Sequence, residues 1–389
     1  MLPVQQNMIG KAATFLMFIS ILTSYSGRRH KNYGRSDRHR GNKRPGKHQW
    51  HGYPGKVNGK GHHHFHHEHG KPDLSGMDNC SGKNLLMMKT VEEVKKQLKE
   101  KLFKNRPDRF AHSLRIAFHD CVGGCDGCIN RANSDNAGPM LDSLDVMDKI
   151  YEDQIKKKMS RADFYILTAV TALEESLKFN NANLTSSFIK PVKFNFKYGR
   201  CDCKTSPNTD IVQAFPSGQF GYHQVVKFFK KEFGFNLRDS VAIMGAHTLG
   251  GASGRKGSGF EGFWKEDGVA AARLNNRYYS ILTDKTLNWE NVDRSLVTRL
   301  DEERWQWQAG TTPEGVPAPF MLNADVSLIR KIQPGVTGKS SCQFSGCPLS
   351  PTAGIVQEFA KNGNKWIRDF VRAWDKMVAK GSRKLKYPV

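Results

Sequence analysis

From residue 84 to residue 379, apolar side chains keep returning at intervals of three and four, and this spacing limits what the chain can fold into. It covers 84–103, 111–121, 140–158, 162–179, 221–233, 239–250, 270–282, 324–332 and 354–379. Pro107, Pro191, Pro216 and the run 310–319 punctuate these segments. Strand-like alternation is sparse. About ten helices in some 315 residues, with no repeat period, predict one irregular all-α domain over 73–389.

The front of the chain has another character. Lys11 precedes an apolar run, 12–22, and then small polar residues. This layout predicts a secretory signal peptide over 1–26, since the run is short for a permanent membrane helix. An uncleaved anchor is the other reading. No later stretch is apolar for long enough to cross a bilayer, so the expected product is soluble, secreted and extracellular. Residues 27–72 are low in complexity; within 27–71, twelve Lys and Arg face two Asp and Glu, and ten of the fourteen histidines lie there. Such a stretch cannot bury enough apolar surface to offset its chain entropy and is expected to be disordered. Outside a cell, a polycation of this kind suits acidic matrix, anionic lipid or mineral, and its His run suits transition metals. A solvated linker with incidental charge is the plainer reading. Nucleic acid fits a secreted protein poorly.

Eight cysteines, an even number, agree with an oxidising compartment. Cys121, Cys125 and Cys128 cluster, but no fourth ligand stands at zinc-finger spacing, which favours disulfides over zinc. Cys342 and Cys347 are near enough to bridge locally; the remaining connectivity is open. Asn79 and Asn183 match the glycan acceptor pattern, which marks a candidate glycoprotein.

Four histidines remain in the helical part: His112, His119, His223 and His247. In Leu114-Arg115-Ile116-Ala117-Phe118-His119-Asp120-Cys121, residues 115, 118 and 119 share one helix face. An arginine, an aromatic ring and a histidine there make a polar spot in an apolar wall. A buried histidine satisfied by a neighbour would read the same way. In Val241-Ala242-Ile243-Met244-Gly245-Ala246-His247-Thr248-Leu249-Gly250-Gly251, an apolar helix delivers His247 near its end among small residues. These leave room for something large and flat to approach.

Together the two segments resemble the distal and proximal signatures of the plant, fungal and bacterial haem peroxidase superfamily. The likeness continues in order through Asn136-Ala137-Gly138, Ala162-Asp163-Phe164, Gly199-Arg200-Cys201-Asp202, the stretch from Ser258 to Trp264, Leu322-Asn323-Ala324-Asp325 and the final helices. The resemblance implies a haem peroxidase-like helical fold with haem b between a distal and a proximal half. It implies His247 as the iron's axial ligand with Asp325 and Trp264 behind it. His119 would be the acid–base group, with Asn136 as its support and Arg115 stabilising charge on the leaving oxygen.

This chain departs from the pattern in three places. Phe118 follows the secreted branches, whereas Trp264 follows the intracellular branch, where such an indole either relays electrons or packs. Asp120, Asp126 and Thr248 match calcium ligands of secreted relatives, but Cys128 replaces an expected hydroxyl and Asn275 a carboxylate; a proximal calcium is not expected. The loop carrying Arg255 and Lys256 is one residue longer than in ascorbate users, with Gly257 nearest the substrate-clamping arginine, so ascorbate specificity does not carry over. The expectation is a secreted enzyme that reduces hydrogen peroxide and oxidises phenolic or other small aromatic reductants, with matrix cross-linking as an outcome. The alternative is a peroxidase-like matrix protein that binds polyanion, metal or mineral through its basic arm. A catalase-like dismutase would need additions that this chain lacks.

Overall fold

A computed structural model describes residues 79–80, 85–182, 188–204, 214–253, 259–294, 304–310, 318–335, 337–382 and 384–389, within the compact unit Gly70–Val389. The expected signal segment 1–26, the basic segment 27–72, Asn183 and the loop residues Arg255, Lys256, Gly257 and Ser258 lie outside the described residues.

The fold is mostly helical. Helix α1 (Met88–Leu98) turns Val91, Val94 and Leu98 inward and runs on through a π turn, Lys99–Phe103. Helix α2 (Asp108–Cys121) carries the Arg115–His119 face. Helix α3 (Pro139–Ile150) starts on a proline, which has no amide to leave unpaired at that position. Helix α4 (Arg161–Asn181) is capped by the Ser160 side chain and is buried around nearly its whole circumference, the signature of a core helix. It packs along α2 and fixes that helix from behind.

The second half is built on α5 (Tyr222–Phe233), α6 (Leu237–Met244), α7 (Arg277–Thr283), a short α8 (Asn323–Val326), α9 (Ala353–Lys361) and α10 (Gly363–Met377). Trp366 and Trp374 of α10 are fully buried against this layer. No described helix is long and apolar enough to cross a membrane.

The expected long helices are shorter and more broken than their apolar spacing suggested. The segment 239–250 leaves the α conformation at Gly245 and finishes as a tight turn, Gly245–Thr248. A side chain at Gly245 would collide with the Trp366 indole and the Tyr279 hydroxyl. The segment 354–379 breaks at Asn362, whose side chain accepts from the Lys365 amide and opens α10. Of 270–282, only Arg277–Thr283 is α-helical, and of 324–332, only the first turn.

Strands also occur. Two short pairs, β1 (Asn79–Cys80) with β2 (Cys201–Asp202) and β3 (Gly251–Ala252) with β4 (Gly262–Phe263), are antiparallel. A three-stranded sheet joins β5 (Trp289–Asp293), β6 (Trp305–Ala309) and β7 (Phe320–Met321). The reading of 310–319 as punctuation missed the strands that flank it. They are too short, and too buried on both faces, to alternate visibly.

Candidate functional site

Helix α2 brings Arg115, Phe118 and His119 to one face, as expected. His119 is 6% exposed. Asn136 lies in a tight turn, Ser134–Asn136, and donates through Nδ2 to the Asn130 carbonyl at 2.7 Å. That bond orients its Oδ1 toward the ring, so the Nδ1–H of His119 donates to it at 2.6 Å. On the other side of the ring, Nε2 accepts from Arg115 Nε at 3.3 Å. The imidazole is therefore neutral, with its acceptor nitrogen beside a guanidinium. Burial first, and the Arg115 charge second, pull its pKa down to about 3 against the opposing Asn136 bond. Arg115 is anchored in turn by a 2.8 Å bond to the Asp135 carbonyl.

Two aromatic rings wall this histidine. Phe118 meets it edge-on, with centroids 5.7 Å apart. Phe215 stacks on it at 4.1 Å, from a segment with no helical or strand pattern. Nothing in the local sequence marks Phe215 as a neighbour of His119.

His247 sits in the turn that ends α6. Its Nδ1–H donates to Asp325 Oδ1 at 2.7 Å, from α8. Asp325 is fully buried, and its other bonds come from the Tyr278 hydroxyl at 2.7 Å and the Leu322 amide at 2.8 Å. Tyr278 was not foreseen; only the packing of α7 against the turn brings it there. The His247 ring stacks on Trp264 at 4.2 Å and 4° between planes, and Trp264 stacks on Phe320 at 4.3 Å. Despite these supports, 31% of the His247 side chain stays accessible. With Nδ1 engaged, its open lone pair is on Nε2.

The two stretches approach each other at a definite point. Gly250, three residues after His247, has φ +81°, and a Cβ there would lie 2.6 Å from the Ala111 methyl. Ala111, Arg115 and Phe118 occupy the same face of α2, so the glycine end of the His247 stretch rests on the face that presents the distal group. Arg115, Phe118, Ala246 and His247 all remain partly exposed inside an otherwise closed core. An imidazole held at Nδ1 by a carboxylate and bare at Nε2 is the donor set that haem iron takes, so these residues fit that cofactor.

Calcium fits less well. Thr248 does not point to a metal: its hydroxyl donates to Asn275 Oδ1 at 3.3 Å, and the buried Lys265 ammonium donates to the same oxygen at 3.4 Å and to the Arg273 carbonyl at 2.8 Å. A lysine already holds the positive charge there, and burial pulls its pKa down to about 7. On the distal side, Cys128 is bonded to Cys203 and Cys121 to Cys125, so Cys128 offers no ligand that calcium prefers. Asp120 and Asp126 both accept from the Cys128 amide, at 3.0 and 3.1 Å. Burial and then the Asp126 charge push Asp120 up, and burial pushes Asp126 up to about 7. Asp120 Oδ2 is buried without a partner. A calcium would need several more oxygens than the pair provides.

Other matched residues prove structural. Arg200 and Asp163 form a fully buried ion pair at 2.8 Å, and Arg200 Nε also donates to the Val378 carbonyl at 3.0 Å, tying α4 to the end of α10. Cys342 and Cys347 bridge locally.

A family model described as Peroxidase matches residues 94–332. "Cytochrome c peroxidase, mitochondrial" of Candida glabrata is 27% identical over 279 residues, covering 69% of this chain and 64% of that protein. "Peroxidase P7" of Brassica rapa is 29% identical over 153 residues, covering 38% and 49%. "Peroxidase 58" of Arabidopsis thaliana is 24% identical over 305 residues, covering 74% and 83%. The chain thus spans 64% and 49% of the length of the first two relatives and most of the third.

Proposed function

This chain belongs to the haem peroxidase superfamily, and from that premise we propose that it is a haem-dependent enzyme that reduces hydrogen peroxide at the expense of one-electron donors. The observation that carries the reading is the contrast between its two imidazoles. Each donates from Nδ1 to a side-chain oxygen, but His119 has a neutral amide and a guanidinium beside it, whereas His247 has a carboxylate. The first arrangement keeps a ring neutral and ready to take a proton. The second makes a ring electron-rich and keeps its Nε2 free to ligate.

His247 Nε2 would hold a haem, which would supply the redox-active iron. The chain supplies proton movement and charge. Neutral His119 Nε2 takes the proton from the nearer peroxide oxygen and returns it to the departing one. Asn136 keeps Nδ1 occupied, so only Nε2 exchanges that proton. Arg115 places its guanidinium where negative charge develops on the departing oxygen. Peroxide replaces the present Arg115–His119 bond between the same two groups.

Phenols and other small aromatic reductants are the proposed donors, reaching the site beside Phe118 and Phe215. Secretion is part of the proposal: three disulfides among the described residues suit an oxidising compartment, and the segment 1–26 has a signal-peptide layout. The domain reading of 1–26 signal, 27–72 arm and 73–389 enzyme is proposed with it. The arm would hold the enzyme on acidic matrix or mineral, where tyrosine cross-linking would follow. A matrix protein without turnover is the second reading, and the charge of that arm is what favours it.

An absorption spectrum of the haem-loaded full chain, before and after peroxide, tests the assignment. The main haem band should shift within the mixing time. Arg115→Leu should slow that shift about a hundredfold to a thousandfold, and His119→Leu should slow it at least as much. A loaded protein whose spectrum ignores peroxide would leave only the matrix reading, and a His119→Leu variant as fast as its parent would overturn the acid–base role given to His119.

A further inference from the structure

On the molecule's outer face, α10 and the extended segment 188–198 run side by side. The Lys190 amide donates to Asn364 Oδ1 at 2.7 Å, and Asn195 Nδ2 donates to Asp375 Oδ2 at 3.0 Å. Between them and the start of α6 lies a cleft of about 550 Å³ with Val192 and Val371 in its lining. The rest of its lining is charged: Arg238, Lys365, Arg368 and Arg372 against Asp369.

The acids there are already committed. Asp369, nearly buried, accepts from Arg238 Nε at 2.6 Å and pairs with Arg372. Glu358 pairs with Arg238 at 2.6 Å and with Lys365. Three cations therefore share two carboxylates, and the fourth, Arg368, makes no hydrogen bond or ion pair among the described residues. Lys190 and Lys193 are exposed along the neighbouring segment. Arg238 and Asp369 are held by packing and by each other, so the excess positive charge is built on a fixed base.

The charges form a row. Lys365, Arg368, Arg372 and Lys376, the last paired with Asp239 and beyond the lining of the cleft, recur at three- and four-residue steps on one face of α10, spanning about 16 Å at the helical rise. Two of the four, Lys365 and Arg372, are 43% and 68% exposed. A lone phosphate or carboxylate would meet only one or two of them. A linear chain that carries a charge on successive sugars would meet them all. No exposed aromatic ring lines the cleft, as stacking on nucleic-acid bases would require.

We propose that the cleft between α10, α6 and segment 188–198 is a binding site for a sulfated or carboxylated linear polysaccharide. This site is made of other residues than the basic segment 27–72, and it stands whether or not the haem reading does.

Lysine acetylation of the full chain, followed by mass spectrometry with and without a heparin oligosaccharide, tests it. Lys190, Lys193 and Lys365 should be protected severalfold, and Lys149, which is 79% exposed and outside the cleft, should not. In salt titrations of the same chain, Arg368→Gln with Arg372→Gln should weaken heparin binding about tenfold and flatten the logarithmic salt slope by about two. Lys149→Gln with Lys157→Gln should change either by less than about twofold. Protection confined to the lysines of 31–71, or equal losses from both double variants, would overturn the proposal. So would stronger protection by polyglutamate than by heparin, which would assign the cleft to an acidic protein. The footprint uses the parent chain, so it decides the matter even if a variant folds poorly.

Discussion

His119 is poised by three neighbours whose effects have different signs, which makes its titration a direct probe of the site. Burial and the Arg115 charge lower its pKa, and the Asn136 bond raises it, with the balance at about 3. The peroxide reaction should therefore be flat from pH 7 down to about 4 and fall below that. Arg115→Leu should move the midpoint up and Asn136→Ala should move it down, read from the pH dependence of the spectral change. Because the folded value lies below the ordinary imidazole value, the unfolded chain takes the proton first. The stability this residue contributes is complete above about pH 6.5 and is lost as pH falls toward 3. Lys265 acts at the other end of the scale. Its folded pKa of about 7 lies below the usual 10.5, so the folded chain releases this proton earlier, and stability rises with pH between those values. Unfolding by denaturant should gain about 2 kcal/mol from pH 7 to pH 9 through this residue, and Lys265→Met should lose that gain. An unchanged pH slope in the variant would mean that the ammonium is not in the pocket beside Thr248 and Asn275.

At the scale of elements, the loop between α2 and α3 depends on a bond made far along the chain. Cys128 and Cys203 are 75 residues apart in sequence, and their bond ties this loop to the segment that follows β2. In the chain-entropy account, closing a loop of that length contributes about 4 kcal/mol. Cys128→Ala with Cys203→Ala should lower unfolding free energy by that order, whereas Cys342→Ala with Cys347→Ala, which closes only a five-residue separation, should cost much less. A similar cost for both pairs would argue against the entropic origin. This contrast also shows what could be read in advance. Arg115, Phe118 and His119 were legible because one helix period places them together. Asn136, Asp325 and Trp264 were legible only through the order of motifs, since each reaches its histidine across a turn or a strand. Tyr278 and Phe215 were not legible at all: their contacts are made by the packing of α7 and of a patternless segment. The strands β6 and β7 escaped because Trp307, Gln306 and Phe320 are all buried, which hides the alternation a half-exposed strand would show.

At the scale of the whole molecule, positive charge is divided between two parts of the sequence with different chemistry. Residues 72–389 carry 47 basic against 35 acidic side chains, and the cleft on α10 owes its excess mainly to arginine and lysine. Residues 27–71 carry twelve basic against two acidic, plus ten histidines, six of them at His62, His63, His64, His66, His67 and His69. Free imidazoles take up a proton near pH 6.5, whereas arginine and exposed lysine stay charged through neutrality. Acidification from pH 7.5 to 5.5 should therefore add charge to the arm and leave the arginines and exposed lysines of the cleft as they are. A bound polyanion stabilises the protonated rings and draws the change toward higher pH. Heparin affinity of the full chain should rise over that interval, with a steeper salt slope at the acid end. Replacing the six clustered histidines by Gln should remove most of the rise while leaving the affinity at pH 7.5 in place. An affinity that ignores pH in the parent chain would mean that the imidazoles of 27–71 contribute nothing to binding.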